Sequence, residues 1–167
     1  QVVFVSGHFN NFELMAMQIE NYGIDVAALY RPLNNIFLNK TMENIRINHI
    51  CKKQVKKGKS GTREMFRLLK KGYSIALMID QRVGEGIPVN FFNRKCLTTT
   101  IPAQLYKKYG CEIVPVYIER KDNIFFKIYF EKPLKFKKID TLENISLKLN
   151  LILEKMVLKN VDQRIWS

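Results

Sequence analysis

The chain has 167 residues, of which 47% are hydrophobic and 26% charged. That length suits a single domain over residues 1–167, and the composition excludes disordered, collagenous and coiled-coil chains. Lysine and arginine number 28 against 15 acidic residues, a formal charge of +13, which predicts an anionic partner without choosing among nucleic acid, lipid headgroups, phosphorylated sugars and acidic proteins.

Val2-Val3-Phe4-Val5 reads as a buried strand, broken by Ser6-Gly7-His8-Phe9. Asn10 or Asn11 is placed to cap a helix running through Leu14, Met15, Met17 and Ile19, with Gly23 as its stop. Residues 25–30 form a second strand, closed by Arg31-Pro32. Apolar positions across residues 36–57 recur at loosely helical spacing. Lys57-Gly58-Lys59-Ser60-Gly61 reads as a break, and a helix follows over residues 62–71. Residues 73–79 form a continuous apolar strand ending at Asp80.

A loop over residues 81–93 is interrupted by Val89-Asn90-Phe91-Phe92. A helix over 98–109 stops at Gly110, two strands cover 112–118 and 124–130, and a long amphipathic helix covers 142–160. Strands that alternate with helices, several of them apolar on both faces, imply an α/β fold: a layered mixed, mostly parallel sheet flanked by helices. No apolar run approaches the roughly 20 residues of a spanning helix.

Charge is concentrated. Between Lys40 and Gly72 there are eleven basic residues and two acids, Glu43 and Glu64. A solvated helix face would show this pattern, and so would a landing surface for phosphate-bearing or acidic partners. The three cysteines, Cys51, Cys96 and Cys111, are odd in number and far apart, as expected of reduced thiols. Two histidines and no paired cysteines do not fill a usual metal ligand set, so no metal is expected. Neither GxxxxGK[ST] nor GxGxxG is present, and Ser6 lacks a GxSxG setting.

The informative pair is His8 and Glu13. In open α/β sheets, ligands sit beyond the carboxyl ends of strands, and His8 falls there, ahead of the helix that holds Glu13. On one helix, a five-residue spacing would turn the side chains about 140° apart. The two can meet only with His8 off the helix, where the sequence puts it. Glu13 could then orient the imidazole for general base work, or it could instead close a capping box with Asn10. Asp80-Gln81, at the end of a strand, is placed either for a substrate site or for a turn.

Four blocks, in order along nearly the whole chain, resemble the bacterial lipid A late acyltransferases of the lysophospholipid acyltransferase superfamily. Gly7-His8-Phe9-Asn10-Asn11-Phe12-Glu13 is similar to their HxxxxE motif, and Tyr30-Arg31-Pro32-Leu33-Asn34-Asn35 to their YRP block. Asp80-Gln81, Val89-Asn90-Phe91-Phe92 and Thr98-Thr99-Thr100 are similar to the DQ, FFG and threonine blocks, and residues 161–166 to the terminal segment. Asn93 stands where that family usually has Gly, and Arg164-Ile165 interrupts the usual approach to Trp166. The ends of the chain, Gln1 and Ser167, read as cut from something longer, with the family's N-terminal membrane anchor absent.

The resemblance implies a glycerol-3-phosphate acyltransferase-like fold. It also implies transfer of an acyl chain from acyl carrier protein or CoA to a hydroxyl of a phosphorylated glucosamine lipid. His8 and Glu13 would form the catalytic dyad, Arg31, Asp80, Gln81 and Arg63 would serve substrate binding, and no cofactor would be needed beyond the acyl thioester. The expected partners are acyl carrier protein, a phosphorylated glycolipid acceptor and an anionic membrane surface, at the cytoplasmic face of the bacterial inner membrane. Acyl transfer to a glycerophospholipid or another glycolipid shares the same chemistry. A nucleic-acid-binding module rests on charge alone, since no RRM, KH or zinc-finger signature is present, and nucleic acid is not an expected partner.

Overall fold

The computed structural model describes residues 1–81 and 84–165. Arg82 and Val83 of the loop, and Trp166 of the terminal block, lie outside the described residues. In chain order the elements are β1 (Val2–Ser6), α1 (Glu13–Asn21), β2 (Val26–Tyr30), α2 (Ile36–His49), β3 (Lys53–Lys56), α3 (Lys59–Lys70) and β4 (Ser74–Met78). They continue with β5 (Ile87–Phe91), β6 (Arg94–Thr98), α4 (Ile101–Tyr109), β7 (Glu112–Lys121), β8 (Phe125–Phe130), α5 (Leu142–Lys159) and a short 3-10 turn at Val161–Gln163. The class is layered mixed α/β, with a mostly parallel sheet flanked by helices, as the alternation of strands and helices predicts.

Two compact units divide the chain: Gln1–Val2 with Glu13–Leu77, and Val3–Phe12 with Met78–Ser167. In the first, β2 lies between β3 and β4 and runs parallel to both. Val26, Ala27, Val55 and Ile75 fill this layer, with Met65, Leu68 and Leu69 of α3 packed into the core. Strand β3 corrects the sequence reading, which ran helical spacing through residues 36–57. Helix α2 instead ends at His49, and the chain resumes as a strand in which only Val55 is fully buried. One apolar residue among lysines gives no visible alternation, and lysines are common on edge strands.

The reading of residues 57–61 as a break is half right. Gly58 has φ 133°, a backbone that favours glycine. Gly61, however, is already inside α3. A Cβ placed there would sit 1.6 Å from the Lys56 carbonyl oxygen, so this glycine lets the helix close onto the strand before it.

In the second unit, β7 lies between β1 and β8 and pairs antiparallel with β8. The stretch read as a loop contains the hairpin β5–β6, in register from Ile87↔Thr98 to Phe91↔Arg94. Its two turn residues, Phe92 and Asn93, have φ of 48° and 60°, the conformation that two-residue hairpins require and that asparagine tolerates well. Asn93 thus suits the positive φ of this turn position.

The threonine block is structural. Thr98 ends β6, so α4 starts at Ile101 rather than Thr98, with Pro102 in its first turn. Asn150 of α5, only 2% exposed, donates to the Asn90 carbonyl and to Thr98 Oγ1, both at 3.0 Å. Glu154 accepts from the Phe92 amide at 2.6 Å. The Asn150 bonds satisfy buried polar groups, and all three fix the hairpin on α5. Thr141 caps α5 by accepting from the Asn144 amide.

Gly61→Ala should cost at least the 1–3 kcal/mol typical of overpacking, since the obstacle is backbone rather than a mobile side chain. Urea unfolding of the variant would measure it. Gly84→Ala, where a Cβ meets nothing within 4 Å among the described residues, serves as the neutral control.

Candidate active site

The segment after β1 is shaped by opposite demands on neighbouring side chains. Phe9 is fully buried, with its ring edge-on to Tyr117 at 5.1 Å. The Phe9 amide folds back onto the Gly7 carbonyl at 3.0 Å, and Asn10 takes φ 44°, which turns the chain toward α1. With Phe9 anchored in the core, His8 is left at the surface, its side chain 17% exposed and its ring edge-on to Phe12 at 4.7 Å.

Asp80 arrives from just beyond β4, where the Ile79 amide bonds to the Ser6 carbonyl at 2.9 Å. Both of its carboxylate oxygens grip His8. Oδ1 lies 2.6 Å from Nδ1, and Oδ2 accepts from the His8 backbone N–H at 2.8 Å. The Asp80 side chain is only 2% exposed. Burial works to raise its pKa, but the hydrogen bonds and charge of His8, together with the charge of Arg164 at 3.7 Å, hold the carboxyl below the ordinary aspartate range.

An ionised carboxylate has no proton to give, so Nδ1–H is the donor and Nε2 is the basic nitrogen. Gly7 is required by proximity: a Cβ there would lie 3.0 Å from Asp80 Oδ2 and 2.8 Å from the Phe9 ring.

Glu13 opens α1 in the first unit. Its Oε1 accepts from Arg46 of α2 twice, at 2.9 Å from Nε and 2.7 Å from Nη2. Arg46 also stands 5.2 Å over the ring of Tyr30. The Tyr30 hydroxyl donates to Glu43 at 2.5 Å, and Lys56 pairs with the same carboxylate at 3.0 Å. Bonds from Tyr30, Lys56 and Asn39 bring the Glu43 carboxyl down to about 2, while burial and the bond to Glu43 push the Tyr30 phenol upward. The end of β2, and with it the YRP block, is thus anchored by one ion network.

The remaining candidates fall as follows. Asp80 is joined to His8, and Gln81 follows it, half-buried. Arg31 is exposed at the carboxyl end of β2, Arg63 is exposed on α3, and His49 is exposed at the end of α2. Sequence reasoning missed Arg46, which was counted only within the basic stretch. Its signal was available: Arg46 lies three residues from Glu43, one of only two acids in that stretch, so both share a helix face. Arg164 was noticed only as an interruption. Among the described residues, no cluster of three or more potential metal ligands occurs.

A histidine held by a buried carboxylate just beyond a strand's carboxyl end has the geometry that acid–base chemistry uses. The sequence profile of the family described as bacterial lipid A biosynthesis acyltransferase matches residues 1–166, and the chain belongs to that family. No curated protein matches the chain. The chain is thus a member of an acyltransferase family that serves lipid A biosynthesis.

Because the native pKa of Asp80 lies below its ordinary value, the ionised form contributes stability that is whole above that value and lost as pH falls through the native pKa. The stability gap between the wild type and Asp80→Asn should therefore narrow below about pH 4. Denaturant titrations at stepped pH would show it. A gap that widens on acidification would mean that burial, not the pairing with His8, dominates this carboxyl.

Proposed function

We propose that the protein moves a fatty acyl group from an acyl thioester, carried by acyl carrier protein or CoA, to a hydroxyl of a phosphorylated lipid A precursor. The observation that carries this reading is the 2.6 Å contact between His8 Nδ1 and buried Asp80, in a chain of the lipid A acyltransferase family. It supports His8 Nε2 as the general base.

The acceptor oxygen attacks the thioester carbonyl as Nε2 takes its proton. Collapse of the tetrahedral intermediate breaks the C–S bond, and the imidazolium returns the proton to the departing thiolate. Asp80 keeps the ring in the productive tautomer and balances the imidazolium charge. Glu13, the acid of the HxxxxE-like motif, is paired with Arg46, and Arg31 and Arg63 offer guanidinium groups to substrate phosphates.

Two of the three cysteines give little support to a covalent acyl-enzyme route. Burial pushes the Cys51 and Cys111 thiols up, away from the reactive thiolate form. Direct attack by the acceptor needs no protein nucleophile.

The first unit suits an anionic lipid surface. At the start of α2, Ile36, Phe37 and Leu38 are 82%, 88% and 58% exposed, and the basic stretch from Lys40 follows. Apolar side chains at the interface, with lysines and arginines drawn to acidic headgroups, match the inner leaflet of a bacterial inner membrane. Among the described residues, no helix is long and apolar enough to cross a membrane.

His8→Ala should lower acyl transfer by about 10²–10⁴-fold, the usual worth of a general base, while the protein stays folded. Glu13→Gln and Asp80→Asn in the same assay rank the two acids. Full activity in folded His8→Ala would reject the base. Mass spectrometry of products from a panel of lipid A precursors, glycerophospholipids and other glycolipids identifies the acceptor.

A further inference from the structure

Residues 163–165 lie back across the His8 turn. Phe9 and Arg164 form an antiparallel bridge, the Asn10 amide donates to the Gln163 carbonyl at 2.9 Å, and the Ile165 amide donates to the His8 carbonyl at 2.8 Å. The Gln163 carboxamide is itself pinned to β7. Its Oε1 accepts from the Arg120 amide at 2.8 Å, its Nε2 donates to the Arg120 carbonyl at 3.1 Å, and Asn10 Nδ2 also donates to Oε1. One short segment thus holds the backbone from the His8 carbonyl through Asn10.

This segment delivers Arg164, whose side chain is only 8% exposed. Its guanidinium carbon stands 5.5 Å from the centroid of the Phe91 ring of β5, and Nη2 lies 3.7 Å from Asp80 Oδ2. That separation is an ion pair rather than a hydrogen bond. Among the described residues, the charged groups facing Asp80 are His8, from the turn after β1, and Arg164, from this segment. Strand β5 faces the guanidinium with the Phe91 ring, and α1's approach presents the Phe12 ring to His8.

We propose that Arg164 is a positioning residue of the His8–Asp80 pair: it holds the Asp80 carboxylate by one oxygen, leaving the other to His8 Nδ1. The proposal rests on the reading of His8 as the base. A lone buried carboxylate beside an imidazole favours the imidazolium. A nearby cation that shares the carboxylate opposes this and leaves more of the base free. Arg164 thus acts on the reaction through Asp80, without touching substrate.

The test needs no turnover. His8 and His49 are the only histidines, and His49 is exposed on α2, so it serves as the internal reference in an NMR titration of the imidazoles. In Arg164→Met, which keeps the stem against Phe91, the His8 midpoint should rise by about 0.5–1 pH unit, a shift ordinary for loss of one neighbouring charge. Arg164→Lys should stay near the wild type, and His49 should not move in either. Arg164→Gln replaces the methionine variant if that one does not fold.

In the acyl-transfer assay the acid limb of kcat should move up with the His8 midpoint, while KM stays unchanged. A folded Arg164→Met or Arg164→Gln protein with an unmoved His8 midpoint overturns the proposal. A moved midpoint in a protein whose wild type transfers no acyl group would uphold the coupling and sink the reaction instead.

Discussion

A carboxylate sealed from water and gripping one histidine through two different groups is the constraint around which the second unit is organised. Asp80 receives both the imidazole and the backbone N–H of His8. A buried charge of this kind is costly unless it is fully answered. The answers come from two places: the turn after β1 and the segment at Arg164. Phe9 is buried on Tyr117 so that His8 need not be, and Gly7 has no side chain because the carboxylate fills that space. The local geometry is therefore specified by mutual exclusion as much as by attraction.

The first unit solves a similar problem with different parts. Glu13 is answered by Arg46, Arg46 by the face of Tyr30, and Tyr30 by Glu43. This chain of contacts ties the first turn of α1 to the end of β2. Much of the positive charge that looked like a uniform surface is in fact divided. Arg46 and Lys56 are committed to acids, whereas Arg31 and Arg63 are exposed. Charge counting along a sequence cannot make that distinction, because it depends on which helix face meets which strand.

The regular elements were legible because their signals were local and redundant. Strands β1, β2, β4 and β7 are apolar runs closed by turn residues, and α5 has both a threonine cap and a clear periodicity. The hairpin β5–β6 was partly hidden, since Phe92 and Asn93 do not advertise a turn as Asn-Gly would. Strand β3 was hidden altogether, because an edge strand that buries one valine carries almost no pattern. At the site, His8 and Asp80 were each singled out, yet their partnership was not. Seventy-two residues separate them, and no periodicity links side chains that meet only through sheet order. Arg164 was harder still: its importance lies in reaching back to the very start of the chain.

That reach has a consequence for biogenesis. Asn10 and Gln163 are 153 positions apart, so the turn bearing His8 leaves the ribosome well before its clasp. Chains gain structure progressively from the N-terminus during synthesis. A nascent polypeptide could therefore complete the first unit while the turn at His8 still waits for its clasp. The turn around His8 would be completed only once residues 163–165 had also been made.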